Sequence, residues 1–165
     1  MTERPICDWV PSSNFTPGSW DRKISAIIIH ATATSGLQSP LDWLCNPKSK
    51  ASCHYMIDLD GRIARLVCEK DISWHAGISA WRDRKNVNMF SVGLELVNLN
   101  DGKMEYPKEQ IEALVSICVP MCVDYGIGIG DIVGHADVAP GRKNDPLGFP
   151  WDEFRSMVKG HGIRD

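Results

Sequence analysis

One segment limits the possible folds of this chain more than any other. The run Ile24-Ser-Ala-Ile-Ile-Ile29 is almost wholly apolar and rich in β-branched side chains, and it ends at His30. A continuous apolar run of this length is typical of a strand that is buried on both faces of a sheet. Such a strand needs helices packed over the sheet, so the sequence predicts a layered domain built around it.

The other predicted elements follow in an α/β order. We expect strands over 52–58, 62–67, 91–97 and 131–134, and helices over 41–45, 107–125 and 150–158. Asp60-Gly61 marks the turn between the first two of these strands. Ser39 is placed to cap the first helix, with Pro40 in the first helical position. Pro120 should kink the long helix or end it early, because its ring lacks an N–H.

This order predicts the fold class α/β, with one mixed central β-sheet flanked by helices. Residues 1–22 are rich in Pro, Ser and Trp and are expected to form an irregular N-terminal lead-in. Residues 23–160 are expected to form the single folded domain. A length of 165 residues suits one hydrophobic core.

Charge and hydropathy exclude several classes of protein. The formal net charge is -3 and no long Lys/Arg run occurs, which argues against a nucleic-acid partner. No apolar stretch approaches the roughly 18 residues of a membrane span, so no membrane insertion is expected. The start, MTERPICDWVPSS, lacks the apolar segment of a signal peptide. We therefore expect a protein that is cytoplasmic as synthesised. Separately, a monomer is expected.

The six cysteines are expected to be free thiols. No C-x-x-C pair occurs, which argues against zinc ribbons and redox motifs. Cys118 and Cys122 lie one helical turn apart and could in principle share a metal. Their apolar neighbours favour buried packing instead.

Histidines at strand ends are the candidates for chemistry. His30 ends the apolar run, His75 lies in Trp-His-Ala-Gly, and His135 begins a loop that reaches Pro146. That loop also carries two carboxylates and two cations between Pro and Gly residues. Two imidazoles and a carboxylate make a ligand set for a catalytic zinc ion. Spacing alone does not establish that His30 meets His135.

Five blocks in order resemble a known family. They are Ile28-Ile-His-Ala-Thr-Ala33, Ser52-Cys-His-Tyr-Met-Ile-Asp-Leu-Asp-Gly61, Trp74-His-Ala-Gly77, Ser91-Val-Gly-Leu-Glu-Leu-Val-Asn98 and the loop 134–146. Together they resemble the zinc-dependent N-acetylmuramoyl-L-alanine amidases of the type 2 family. That family includes AmpD-like bacterial enzymes and phage endolysins, and it shares its fold with peptidoglycan recognition proteins. The resemblance covers residues 24 to about 158.

The resemblance implies one zinc ion, Zn2+, held by His30, His135 and Asp145. Asp137 is the competing carboxylate, but its place two residues from His135 suits it better to shaping the loop. Cys53 stands where some relatives carry a catalytic tyrosine. This departure places the chain with the AmpD-like members.

The resemblance also implies the catalytic and substrate-binding residues. Glu95 matches the position of the general acid–base, and Lys143 that of the group that stabilises the oxyanion. His75 and Trp74 are expected to line the substrate cleft. Arg142 is expected to anchor the loop or to meet substrate carboxylates.

Two tryptophan pairs are expected to differ in their surroundings. Trp74 and Trp81 are expected to stack on substrate, whereas Trp43 and Trp151 are expected to lie in the core.

The implied function is hydrolysis of the amide bond between N-acetylmuramic acid and L-alanine in peptidoglycan or a muropeptide. The lead-in and the block Leu41-Asp42-Trp43-Leu44 favour a phage endolysin that lyses cell wall. Such an enzyme reaches the wall or the periplasm by holin-type release. A cytoplasmic recycling amidase acting on anhydro-muropeptides is the alternative. A non-catalytic peptidoglycan-binding module and another zinc hydrolase with the same ligands stay open.

Overall fold

A six-stranded sheet forms the centre of the computed structural model. The structure describes residues 2–165, so the first residue of the lead-in lies outside the described part. The strands are β1 (Asp8–Trp9), β2 (Phe15–Thr16), β3 (Ala26–Ala31), β4 (Tyr55–Ile57), β5 (Ile63–Arg65), β6 (Ile72–Ser73), β7 (Ala80–Trp81), β8 (Arg84–Lys85), β9 (Ser91–Leu96) and β10 (Ile132–Gly134). The helices are α1 (Gln38–Cys45), α2 (Lys108–Tyr125), α3 (His135–Val138) and α4 (Trp151–Gly160).

The central sheet has the order β1-β5-β4-β9-β3-β10. Strand β3 runs parallel to both of its neighbours, and β4 is parallel to β9. Strands β4 and β5 form an antiparallel hairpin. The sheet is therefore mixed, and the predicted α/β architecture is confirmed.

The two faces of β3 belong to different parts of the core, because successive side chains of a strand point to opposite faces. Ile27 and Ile29 pack with the buried residues of α2 and α4 in the largest apolar cluster. Ala26 and Ile28 belong to a smaller cluster with residues of the 76–90 segment and of α3. The apolar run is thus buried on both faces, as its composition predicts.

Three local expectations need correction. Helix α1 begins at Gln38, so Ser39 and Pro40 lie within its first turn rather than before it. A proline there is tolerated because the first N–H groups of a helix have no intrahelical partner. Helix α2 continues through Pro120 to Tyr125, so the expected early end is wrong. Met121 and Cys122 are buried in the core beyond the proline, and this packing outweighs the lost hydrogen bond.

The lead-in is more ordered than its composition suggests. Strand β1 joins the edge of the central sheet beside β5, and β2 pairs with β6. Two nitrogens of Arg4 donate to the two carboxylate oxygens of Glu69 at 2.8 Å, and its third nitrogen donates to Asp124 at 2.8 Å. These contacts fix the lead-in to the domain.

The six cysteines are free thiols, in agreement with the sequence. Cys118 and Cys122 are both buried in the main core cluster, which confirms the packing interpretation. In the described part of the chain, the helices are too short or too polar to cross a bilayer.

Candidate metal centre and active site

Three adjacent parallel strands place the candidate residues at the same end of the sheet, where the strands finish. Strands β9, β3 and β10 are neighbours and run in the same direction. His30 lies next to the end of β3, and His135 follows β10 directly. The topology therefore brings together two histidines that are 105 residues apart in the sequence.

His30, His135 and Asp145 converge on one point. The Nδ1 atoms of the two histidines are 2.9 Å apart. Oδ2 of Asp145 lies 3.1 Å from Nδ1 of His135 and 3.5 Å from Nδ1 of His30. All three side chains are buried, and across residues 2–165 no other group of His, Cys, Asp or Glu side chains is spaced to share a metal ion.

The donor set suits a cation. Nε2 of His135 lies 3.3 Å from the carbonyl oxygen of Ala76, which can only accept a hydrogen bond. The proton of a neutral His135 ring therefore sits on Nε2, and its Nδ1 presents a lone pair to Asp145. Electron-rich atoms this close need a cation between them, either a proton or a metal ion. These three residues form a possible metal site.

Burial adjusts the protonation of this group. It lowers the pKa of His30 to about 4, with help from His135 and Lys143, so the ring is neutral at pH 7 and able to bind a metal. Burial alone would raise the pKa of Asp145, but the two neighbouring imidazoles outweigh it and hold that pKa well below its ordinary value. Asp145 is therefore an anionic ligand candidate.

The loop after β10 is folded so that Asp145 faces the histidines. The backbone N–H of Ala136 donates to the carbonyl oxygen of Asp145 at 2.8 Å. Asp137 instead accepts from the backbone N–H of Gly134 at 2.8 Å. Asp137 therefore shapes the loop, in the role that the sequence suggested for it.

Glu95 lies beside His30 on the same face of the sheet, since the two residues are register partners on β9 and β3. One of its carboxylate oxygens is buried without a hydrogen-bond partner. Burial, together with the charge of Asp145, raises the pKa of Glu95 to about 8, although Lys143 opposes this. A carboxyl group with such a pKa can both hold and release a proton near neutral pH.

Two cations of the late loop line the same cleft, which has a volume of about 670 Å³. Lys143 is exposed and presents an unpaired ammonium group in the described part of the chain. Arg142 donates to the carbonyl oxygens of Ala76 and Ile78 at 2.6 and 2.7 Å. Of its two expected roles, Arg142 therefore has the contacts for anchoring the loop.

The predicted substrate-side residues fall in different places. His75 lines the cleft and contacts His30 through a hydrogen bond of 2.9 Å. Trp74 is not among the cleft residues, and its indole N–H donates to Thr16 at 3.0 Å. Trp81 also lies elsewhere and donates to Asp131 at 2.8 Å. The structure thus brings His75 to the site and leaves both tryptophans away from it.

Trp43 lines the cleft instead, with 59% of its surface exposed, so its assignment to the core is wrong. A signal was available in the sequence, because Leu41 and Leu44 form the buried stripe of α1 and Trp43 lies off that stripe. Trp151 is half-buried and packs against the core, as expected. His54 is fully buried, with Nδ1 bonded to Ser73 and Nε2 to the backbone of Asp71, which gives it a structural role.

Asn100 is a supporting residue that the sequence did not reveal. Its side-chain oxygen accepts from the backbone N–H of Leu147 at 2.7 Å, and its side-chain nitrogen donates to Asn144 at 3.1 Å. Its φ of 55° is one that asparagine tolerates better than most residues. Asn100 therefore holds the loop segment that carries Lys143 and Asp145.

Comparison with known proteins identifies the family. The family model described as N-acetylmuramoyl-L-alanine amidase matches residues 20–148. The chain belongs to this family. The predicted resemblance is confirmed.

Relatives with known names lie within the same family. The N-acetylmuramoyl-L-alanine amidase AmiD of Escherichia coli is 35% identical over 153 residues, covering 84% of this chain and 54% of AmiD. The 1,6-anhydro-N-acetylmuramyl-L-alanine amidase AmpD of Salmonella typhimurium is 33% identical over 110 residues, covering 66% of this chain and 58% of AmpD. The chain thus spans just over half the length of these curated relatives.

A solved structure shares the fold. It is a complex of the E. coli amidase AmiD with the substrate anhydro-N-acetylmuramic acid-L-Ala-D-gamma-Glu-L-Lys. It is 32% identical to this chain, with a TM-score of 0.77, and the match covers 89% of this chain and 61% of AmiD.

Proposed function

We propose that this chain is a zinc-dependent N-acetylmuramoyl-L-alanine amidase. It hydrolyses the amide bond between the lactyl group of N-acetylmuramic acid and L-alanine. The observation that carries the proposal is the convergence of His30, His135 and Asp145 beside the unpartnered carboxylate of Glu95. Membership of the amidase family supports the choice of bond.

Zinc is the ion that this donor set fits best. Two imidazole nitrogens and one carboxylate oxygen are the ligands of a catalytic site that keeps one position open. In a tetrahedral zinc site, ligand atoms lie about 3.3 Å from one another. The three separations of 2.9, 3.1 and 3.5 Å agree with that spacing. When bound, zinc supplies the Lewis acidity that polarises the carbonyl group and activates water.

The side chains around the candidate ligands have three different roles in the reaction. Glu95 takes a proton from the attacking water and passes one to the nitrogen of the leaving L-alanine. The ammonium group of Lys143 stabilises the negative charge that develops on the carbonyl oxygen. Arg142 holds the wall of the cleft in place through its two carbonyl contacts.

The preferred substrate is an anhydro-muropeptide. The names of the AmpD relatives specify a 1,6-anhydro-muramyl substrate, and the AmiD complex contains an anhydro-muropeptide. These relatives favour the recycling-type alternative over the lytic endolysin that the lead-in suggested. A non-catalytic binding module is disfavoured, because no candidate ligand is missing.

Hydrolysis of two substrates side by side tests the proposal. The purified chain, loaded with one equivalent of zinc, is incubated with soluble anhydro-muropeptide and with intact sacculi, and new L-alanine amino termini are measured. We expect release from the soluble substrate to be faster. Faster release from sacculi would favour the lytic function, and no release from either substrate would refute the amidase.

Two controls separate catalysis from binding. Chelation of zinc should abolish release, and readdition should restore it. Glu95→Gln should keep zinc and substrate binding while kcat falls about 10²–10⁴-fold. A binding module would show the same affinity in both proteins and no turnover in either.

A further inference from the structure

A chain of hydrogen bonds runs from the candidate ligand His30 into the protein. Nε2 of His30 lies 2.9 Å from Nδ1 of His75. Nε2 of His75 lies 3.1 Å from Oγ of Ser91, and that hydroxyl lies 2.7 Å from the carbonyl oxygen of Val87. We name this chain, His30–His75–Ser91–Val87, the imidazole relay.

The far end of the relay fixes the direction of every hydrogen bond in it. The carbonyl oxygen of Val87 can only accept, so the single hydroxyl proton of Ser91 points to it. Oγ of Ser91 must then accept the proton on Nε2 of His75. In a neutral ring this leaves a lone pair on Nδ1 of His75, which accepts from Nε2–H of His30.

The near end of the relay has one form that leaves Nδ1 free for a metal ion. A neutral His30 with its proton on Nε2 carries a lone pair on Nδ1, and this is the atom that faces His135 and Asp145. We infer that His75 is a positioning residue, which holds His30 in the tautomer and ring orientation that a metal ion requires. This inference rests on the proposed function, and it assigns to His75 a role other than contact with substrate.

The sheet provides the space that the relay occupies. Ser91, Gly93 and Glu95 alternate along one face of β9. A Cβ atom on Gly93 would lie 2.4 Å from Cγ of His75, so the imidazole ring lies directly over the glycine. The ring of His75 meets that of His30 edge to face, at an interplanar angle of 88°. The glycine in β9 is therefore what allows His75 to reach the back of His30.

Zinc affinity, measured by competition with a chelator, tests the inference. His75→Phe keeps a ring of similar shape but removes the acceptor, and we expect zinc affinity to fall about 10–100-fold. His75→Asn restores an acceptor oxygen near the position of Nδ1 and should recover much of the loss. Ser91→Ala should weaken zinc binding less, because it removes only the far end of the relay.

A matched serine controls for the loss of a buried hydroxyl. Ser73→Ala is the same substitution at a fully buried residue that contacts His54, which lies outside the relay. We expect this variant to bind zinc as the unaltered protein does. Equal losses in Ser73→Ala and Ser91→Ala would indicate a general effect of the cavity and would overturn the relay.

The tautomer of His30 can be read directly by long-range ¹H–¹⁵N NMR of the imidazole nitrogens. The expected result is a proton on Nε2 of His30 and on Nε2 of His75, and an unprotonated Nε2 of His30 would overturn the inference. The spectrum is recorded on the unaltered protein with and without zinc, so it decides the relay even if His75→Phe does not fold. Absence of zinc binding or of amidase activity would refute the proposed function but not the relay. The metal-free spectrum would still show whether Nε2 of His30 carries the proton that the relay requires.

Unchanged zinc affinity in a folded His75→Phe variant would also refute the inference. Folding of each variant is confirmed by its far-UV spectrum and thermal midpoint in the metal-free state. Loss of affinity in His75→Phe, recovery in His75→Asn and no change in Ser73→Ala together support it.

Discussion

The buried carboxyl group of Glu95 should make the metal-free protein less stable as the pH rises, and Glu95→Gln should remove this effect. Burial, reinforced by Asp145, raises the pKa of Glu95 from 4.5 to about 8 in the folded state. Between these two values the folded state binds more protons than the unfolded state, so the free energy of unfolding falls with increasing pH. Integration from pH 5 to pH 8 gives a loss of about 3 kcal/mol.

Urea unfolding of the chelated proteins at pH 5, 6, 7 and 8 measures this loss. Other titrating groups affect both proteins alike, so the difference in unfolding free energy isolates Glu95. We expect the difference to grow by about 3 kcal/mol in favour of the glutamine variant, or ~6–12 °C in thermal midpoint for a chain of this size. Glu153→Gln, on the exposed surface of α4, should show no such trend.

Parallel pH profiles for the unaltered protein and Glu95→Gln would refute the reasoning. They would mean that water reaches the carboxyl group in the folded state. Glu95 would then lack the electrostatic basis for acid–base chemistry near neutral pH. The same variant would lose activity while gaining stability if the reasoning holds, which is the pattern expected of a functional group held at a cost to folding.

Three further predictions concern the loop and the lead-in. Lys143→Met keeps the aliphatic stem but removes the charge, so kcat should fall about 10²–10³-fold with zinc content unchanged; a change in KM alone would contradict its role on the oxyanion. Asn100→Ala removes two hydrogen bonds and strains a left-handed residue, whereas Asn100→Gly relieves the strain. Thermal unfolding should therefore rank alanine below glycine by about 1 kcal/mol, and the reverse order would contradict the strain. Burial alone would raise the pKa of Glu69. Hydrogen bonds from Arg4, Tyr125 and Tyr55 outweigh burial and hold that pKa below its ordinary value of 4.5. The stability advantage over Glu69→Gln should be complete above about pH 4.5 and disappear as the pH falls through the folded pKa, as urea unfolding at pH 7 and pH 3 would show.

The elements of the fold were largely predictable, because local patterns specify them. The apolar run before His30 predicts the central strand, and the helical period of residues 107–125 predicts α2. The path of α2 through Pro120 was not predictable, since it depends on the core that packs around Met121 and Cys122. Tertiary contacts override local propensity there.

The candidate ligands were predictable as residue types, but their meeting was not. Only the parallel order of β9, β3 and β10 brings His30 next to Glu95 and His135. The imidazole relay was hidden for a related reason, since Ser91 and His75 come from separate segments and meet only where Gly93 leaves room. Hydrogen-bond direction is a property of the assembled site rather than of any one motif.

The cleft has two walls that rest on different parts of the core. The ligands sit on β3 and on the loop after β10, whereas Trp43 projects from α1, whose buried residues Leu41 and Leu44 pack in a separate apolar cluster. Substitutions on the two walls therefore have few shared neighbours, and their effects on free energy should be nearly additive. Exchange of the α1 segment would therefore change the wall that carries Trp43 while the wall that carries His30, His135 and Asp145 keeps its own packing.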